Sequence, residues 1–339
     1  MTMTTLRLSV LDQSVSVSGS SEDAAIRDTL ELAQHCEHLG YDRFWVSEHH
    51  GLPTIIGSAP EILMAAIAAR TTRIRIGSAG VMLPHYSALK VAEQFRVLEA
   101  LAPGRIDLGV GRAPGSDQRT ARALNPNAHA AADDFPEQVR DLQAWTSLPS
   151  FQGISAHPLG AHAPEVWILG SSNYGAQLAA HFGLPYAYAY FFVDGQGADE
   201  ALSLYRRLYK PSERHPKPQP TVCVWALAAD THEQATHHAL GRERWRVDRA
   251  RGVLGPLQSS DVIAARGFTA DEWPTVEAMR SKAFVGTGGQ VAAQLRALAI
   301  ELQLDEIVVN TWAHEPAVRR HSYALLAREF GLAASEVLT

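Results

Sequence analysis

Phe44-Trp-Val-Ser-Glu-His-His-Gly51 is a short apolar run that ends in an acid, two adjacent histidines and a glycine. Read as a strand, it is a buried segment that delivers Glu48, His49 and His50 to its C-terminal end. In parallel α/β folds, open or closed, that end is where chemistry sits. The fold is decided by whether the rest of the chain repeats this design.

It does. On the N-terminal side, residues 6–11 read as a first strand ending in Asp12-Gln13-Ser14, and a helix follows over about 22–38, with Leu32, Cys36 and Leu39 at helical spacing and Gly40 at its end. On the C-terminal side, Ser58-Ala-Pro-Glu61 is a capping-box pattern opening a helix to about residue 70. Residues 74–77 make a third strand with Ser78-Ala79-Gly80 at its tip, and Ser87 starts a helix whose Val91, Phe95 and Leu98 share a face. A fourth strand, 106–110, runs into the loop Gly111-Arg-Ala-Pro-Gly-Ser-Asp117, followed by a helix over about 136–146. A fifth, 166–169, runs into Gly170-Ser-Ser-Asn-Tyr-Gly175 and a helix.

Residues 186–192 form a sixth strand with a helix over 198–209, and 222–227 a seventh, after which Asp230-Thr-His-Glu233 caps a helix. The rhythm lapses over about 252–283, read as an insertion with short helical pieces near Trp273 and Met279. Thr287-Gly-Gly-Gln290 then opens a helix, 306–310 is the eighth strand and 316–330 the closing helix. Eight alternations of continuous apolar strand and amphipathic helix predict a (β/α)8 TIM barrel with an insertion before strand eight. The competing reading, a doubly wound open sheet, would place a Gly-rich dinucleotide turn after the first strand, and Asp12-Gln-Ser-Val-Ser-Val-Ser-Gly19 is not one. One domain over 1–339 is expected, with 252–283 an elaboration inside it.

With 46% hydrophobic and 19% charged residues the chain can bury a large core, and a net charge of -6 argues against nucleic-acid or anionic-membrane partners. No apolar stretch is long enough to span a bilayer, and 1–11 does not read as a signal peptide. Cys36 and Cys223 form no CxxC and read as reduced core thiols of a cytoplasmic protein.

In a barrel, the tips of strands two to five converge on one mouth. Arg112 and the loop Gly170, Ser171, Ser172, Tyr174 read as a phosphate site: glycine admits close approach, the serines donate, and the following helix offers free N–H groups. The structural alternative is an N-cap serine and a rim salt bridge. Ser78-Ala79-Gly80 leaves room for a flat ring, or is simply a tight turn. Tyr190 and Phe192 supply aromatic walls. Adjacent strand residues point to opposite sides, so His49 and His50 cannot both face the mouth, which argues against a metal and for one histidine in acid–base work. No lysine sits at a strand tip for a Schiff base and there is no GxSxG elbow. Such a mouth suits a phosphorylated planar cofactor that does the difficult chemistry.

Trp45-Val-Ser-Glu-His-His50, Ile76-Gly-Ser-Ala-Gly-Val-Met-Leu-Pro84, Gly104-Arg-Ile-Asp-Leu-Gly-Val-Gly-Arg-Ala-Pro-Gly115 and Phe284-Val-Gly-Thr-Gly-Gly-Gln-Val291 resemble, in this order, the bacterial luciferase-like flavin monooxygenases. The resemblance implies FMN held non-covalently at the strand C-termini, reduced flavin from a separate reductase, and reaction with O2 through a C4a-peroxyflavin to oxidise a small organic substrate. It further implies that His49 assists that chemistry and that Arg112 binds the flavin phosphate; beside them, Glu48 is expected to support the ring region, and Ser171, Ser172 and Tyr174 to join Arg112 at the phosphate. Ser78, Ala79 and Gly80 would lie along the flavin ring, often with a non-prolyl cis peptide, and 252–283 would correspond to a variable lid. A homodimer is expected of the family. Gly111 stands where the light-emitting subunit has a cysteine, and Gly170-Ser171-Ser172 where it has an acid before its serine, so light emission is not implied. Hydride transfer with the deazaflavin F420, and a non-catalytic flavin-binding accessory subunit, are the alternative functions.

Overall fold

A computed structural model describes residues 6–112 and 117–332; residues 113–116 of the loop after the fourth strand lie outside it. The elements run β1 (Arg7–Asp12), α1 (Glu22–His38), β2 (Arg43–Val46), α2 (Pro60–Ala68), β3 (Arg75–Met82), α3 (Ala88–Leu101) and β4 (Ile106–Gly111). Two short helices, α4 (Gln118–Leu124) and α5 (Ala128–Asp133), precede α6 (Phe135–Ser147), β5 (Glu165–Gly170), α7 (Asn173–Phe182) and β6 (Tyr186–Tyr188). Then come α8 (Tyr190–Val193), α9 (Ala198–Leu208), β7 (Pro220–Ala229), α10 (His232–Ala250), α11 (Ser260–Arg266) and α12 (Trp273–Arg280). The chain closes through β8 (Phe284–Thr287), α13 (Gly288–Glu301), β9 (Glu306–Asn310) and α14 (Pro316–Phe330).

Strands β1 to β7 and β9 pair in parallel, and β9 returns to β1, so eight strands close into a barrel. The predicted TIM barrel is the fold. The short ninth strand, β8, sits outside the ring. It pairs with β7 over Ala226–Ala229, just past the point where β7 leaves β9 at Trp225 and Asn310. Ser58 does not cap α2; Ala59 holds that position without a side-chain bond, and Pro60 supplies the helix start. The boxes at Thr231 with Gln234 and at Thr287 with Gln290 do form.

The barrel interior is packed in layers. Its N-terminal end is sealed by ions: Arg43 meets Asp107 at 2.8 Å, Glu306 at 3.0 Å and Glu165 at 3.1 Å. Burial opposes the charge on Arg43, but the three carboxylates outweigh it and hold it protonated. Above lie Leu11, Trp45, Trp167, Ala187, Cys223 and Val308, topped by partly buried Ala79, Leu169 and Phe191. Gly77 makes this layer possible, since a Cβ there would come 2.5 Å from the Trp45 ring, whose Nε1 donates to Asp107 at 2.9 Å. Closed below and filled in the middle, the barrel offers only its C-terminal mouth for ligands.

Segment 252–283 packs a satellite core, Val276 and Met279 with Phe268, against Val247 of α10. Its first part lies on the rim: Leu257 pairs with Val17 after β1, and Thr54 after β2 donates to the Gly255 carbonyl. No helix among the described residues is long and apolar enough to cross a membrane.

Candidate active site at the barrel mouth

Beyond β2 the chain keeps the two-residue alternation of a strand. On one side, Ser47 Oγ lies 3.1 Å from His49 Nδ1. On the other, His50 Nε2 is 2.7 Å from a carboxylate oxygen of Glu48. The two histidines therefore part, as strand geometry predicts. Glu48 is buried and fully engaged: it also accepts from the Tyr86 hydroxyl at 2.7 Å and the Met82 N–H at 3.0 Å. That makes it a clamp joining β2 to the end of β3. His49 is held by its backbone N–H, which donates to Gly57 O at 2.9 Å, and no described residue bonds its Nε2. Burial dominates its environment and pulls its pKa to about 4, despite Glu48 nearby, so the ring is neutral at pH 7.

Of Ser78, Ala79 and Gly80, Ala79 is the partly exposed one, packed on the top of the barrel interior. Ser78 is buried with its hydroxyl donating to Gly109 O on β4 at 2.9 Å, which removes that side chain from direct contact with a ligand. Gly80 is pressed against β4 and Leu169, where a Cβ would lie 2.8 Å from the Gly109 carbonyl oxygen. The peptide between Ala79 and Gly80 is cis, as the resemblance implied.

Arg112 at the end of β4 and Tyr174 in the first turn of α7 meet, the guanidinium 4.3 Å from the ring centroid. Both are exposed at the rim, Tyr174 by 37%. Ser172 is the N-cap residue of α7 but makes no side-chain cap bond, so its hydroxyl and the first N–H groups of the helix are left to the mouth. Ser171 precedes it, partly exposed. Gly170 lies where β5 turns into α7, its Cα 3.6 Å from where a Cβ on Gly175 would sit. Among the described residues no carboxylate pairs with Arg112. A guanidinium, two hydroxyls, a phenol and helix N–H groups are donors throughout, the set that a phosphate needs.

The opposite wall departs from expectation. β6 ends at Tyr188, and residues 190–193 make one helical turn. Strand alternation is lost there: Tyr190 packs on Phe284 at 6.1 Å, Phe192 is exposed, and Phe191 is the ring that faces the mouth. Beside it stand Trp225 of β7, Trp245 of α10 and Trp312 after β9, the last two in edge contact at 4.7 Å. Gln13 Oε1 accepts from Asn310 at 2.6 Å and from Trp312 Nε1 at 3.1 Å, tying this wall to β1.

The family model of luciferase-like monooxygenases matches residues 6–306. The chain belongs to that family. It is 41% identical to the protein YwcH of Bacillus subtilis over 329 residues, which cover 95% of this chain and 98% of that protein. It is 39% identical to the luciferase-like monooxygenase of Escherichia coli strain K12 over 333 residues, 96% and 97% of the two chains. Among solved structures, apo-MsnO8 superposes with a TM-score of 0.91 at 35% identity, covering 97% of this chain and all of that one. Two more distant structures share the fold alone: the oxygenating component of 3,6-diketocamphane monooxygenase from Pseudomonas putida with FMN (TM-score 0.72, 18% identity, covering 96% of this chain and 98% of that one), and an F420-dependent secondary alcohol dehydrogenase (TM-score 0.66, 15% identity, 94% and 97%).

The candidate strand-tip residues were readable in the motifs; the aromatic cluster of Phe191, Trp225, Trp245 and Trp312 beside the mouth was not. Its one sequence signal was the inward register of Trp225 on β7, two residues beyond Cys223.

Proposed function

We propose that the protein is a flavin-dependent monooxygenase that takes reduced FMN from a separate reductase and oxidises a small organic molecule with O2. The observation that carries this reading is the donor-only cluster of Arg112, Tyr174 and the uncapped start of α7 on the rim that also bears, two strands away after β2, a neutral, partly buried His49. Arg112, Ser171, Ser172 and Tyr174 would hold the phosphate, and Ala79, with the β3 backbone through Gly80, would flank the ring. Bound reduced flavin supplies the activation of O2, one oxygen atom going to the substrate and the other to water.

The chain's own residues set the conditions. His49, neutral and fixed through Nδ1 and its backbone N–H, offers Nε2 to hold or move a proton at the reacting centre. Glu48 acts through others, as a positioning residue that fixes His50, Tyr86 and the turn at Met82. Leu169 and Phe191 keep the floor apolar and exclude water. The 252–283 segment would cover the mouth as a lid, a reading supported by its start on the rim. A homodimer is supported by Ile62 on α2 and Val97 and Leu101 on α3, exposed by 66%, 48% and 61% on neighbouring helices.

Anaerobic titration with reduced FMN, oxidised FMN and F420, followed by admission of O2, tests the reading. FMN binding and protein-dependent oxygen uptake are expected. Binding of F420 alone would move the protein to hydride transfer, FMN binding without any effect on oxygen uptake would make it an accessory flavin carrier, and binding of none would overturn the proposal.

A further inference from the structure

Between residues 242 and 251, α10 and its end carry five arginines. Arg244 pairs with Glu272 at 2.8 Å and Asp248 at 2.7 Å, Arg246 grips Asp194 through contacts of 2.6 and 2.7 Å, and Arg251 pairs with Asp271 at 2.7 Å. Arg249 is exposed over the rings of Trp245 and Phe192. Neither Arg249 nor Arg242 has a carboxylate within ion-pair distance among the described residues, but Arg249 is open to solvent whereas Arg242 is only partly exposed.

Its guanidinium instead stands 4.2 Å above the ring of Trp225. The carboxylates that influence it, Asp194 and Glu243, are both already committed, Asp194 to Arg246 and Glu243 to Arg280 by two bonds of 2.8 Å. Burial, and then repulsion from Arg246, pull its pKa down to about 9, which still leaves it charged at neutral pH. The Trp225 Nε1–H beneath it is buried with no acceptor among the described residues. Buried donors are ordinarily matched. Two unmatched donors, a cation on the face of a ring and an N–H on its edge, call for an acceptor from outside the chain.

The location says what would bring it. Trp225 shares the inward face of β7 with Cys223 and packs with Phe191, Trp245 and Trp312. It is on the β7 side of the mouth, whereas Arg112 ends β4, on the other side of the ring of strands. We infer that Arg242 and Trp225 Nε1 bind the carboxylate of a small anionic substrate whose apolar body lies against Phe191, Trp245 and Trp312. Calling that ligand the substrate rests on the flavin reading given above; the anion site itself rests on Arg242 and Trp225 alone.

The test is calorimetric titration with a panel of straight-chain and phenyl-substituted carboxylic acids, each beside its primary amide, against the FMN-loaded protein and again without flavin. Acids are expected to bind roughly 10- to 100-fold more tightly than their amides, the range of a charge-assisted hydrogen bond. Arg242→Gln should erase that preference, Arg242→Lys should restore part of it, and Trp225→Phe, which keeps the ring and deletes the N–H, should weaken it several-fold. FMN affinity should stay unchanged in all three. Equal binding of acids and amides, no acid binding at all, or an undiminished preference in Arg242→Gln and Trp225→Phe would overturn the inference. So would a loss of FMN affinity in Arg242→Gln, since the residue would then serve the flavin phosphate. If FMN fails to bind the wild-type chain, the flavin reading falls while the flavin-free titration still decides the anion site.

Discussion

Arg112 and Tyr174 arise 62 residues apart, at the ends of adjacent strands β4 and β5, yet stack with the guanidinium 4.3 Å from the ring centroid. The ring orients a long, mobile cation beside the open N-terminus of α7 before any ligand arrives, so less of its freedom is lost on binding.

Tyr174→Ala should therefore loosen FMN binding even though the charge remains. A rim cation–π contact contributes about 0.5–1 kcal/mol, so a rise in Kd of roughly 2- to 5-fold is expected. Tyr174→Phe keeps the ring and should lie closer to wild type, with any remaining loss reporting the hydroxyl. Fluorescence titration of the two variants checks both.

His49 should titrate near pH 4, not near the usual 6.5, because its enclosed site disfavours the imidazolium. The sign follows: the unfolded chain binds more protons at His49 between about 6.5 and 4, so this residue makes the fold less stable as pH falls through that window. NMR of the ring protons should show no titration of His49 from pH 8 to about 5.5, and a midpoint near 6.5 would refute the assignment. Activity should accordingly show no limb from this group between pH 6 and 8.

The barrel strands were legible because they are short, largely apolar runs that alternate with amphipathic helices and end in polar or glycine residues, as in Phe44-Trp-Val-Ser-Glu. The parting of His49 and His50 was legible from the two-residue period alone. What was hidden depended on tertiary contact. Tyr186 to Phe192 reads as one strand, and nothing local reveals that it turns helical after Tyr188 and exchanges Tyr190 and Phe192 for Phe191. Strand β8 is four residues that pair only because β7 outruns β9. Ser78 sits in the motif, but only the pairing with β4 shows that its hydroxyl is consumed by Gly109. Arg242 is one of five similar arginines, singled out only by being partly buried without a carboxylate partner over the unmatched Trp225.

Glu48 is read as a clamp, and deletion shows whether it is one. Glu48→Ala strands donors on Tyr86, His50 and Met82, each buried or partly buried. A loss of roughly 1–3 kcal/mol is expected from leaving such donors unmatched. Thermal unfolding should fall by several degrees, while a variant that melts like wild type but lacks activity would give Glu48 a chemical role instead.

The ionic floor should make the barrel sensitive to acid. Burial alone would raise the Asp107 pKa, but Arg43 and Arg75 together bring it below the ordinary carboxylate value. A folded-state pKa lower than the unfolded one stabilises the protein above about pH 4 and is lost as pH falls further. Asp107→Asn should cost about 3–5 kcal/mol at pH 7, and the gap to wild type should narrow below about pH 4. Urea unfolding at both pH values measures it.

The most direct test is to titrate wild type and Arg112→Ala with oxidised FMN and with riboflavin, which differ only in the phosphate. If Arg112 and the start of α7 are the phosphate seat, wild type binds FMN well ahead of riboflavin. Arg112→Ala should then lose roughly 10- to 100-fold in FMN affinity, the range of a charge-assisted contact, and leave riboflavin unchanged. Equal affinities in wild type, or an equal loss for both ligands in the variant, would contradict the account.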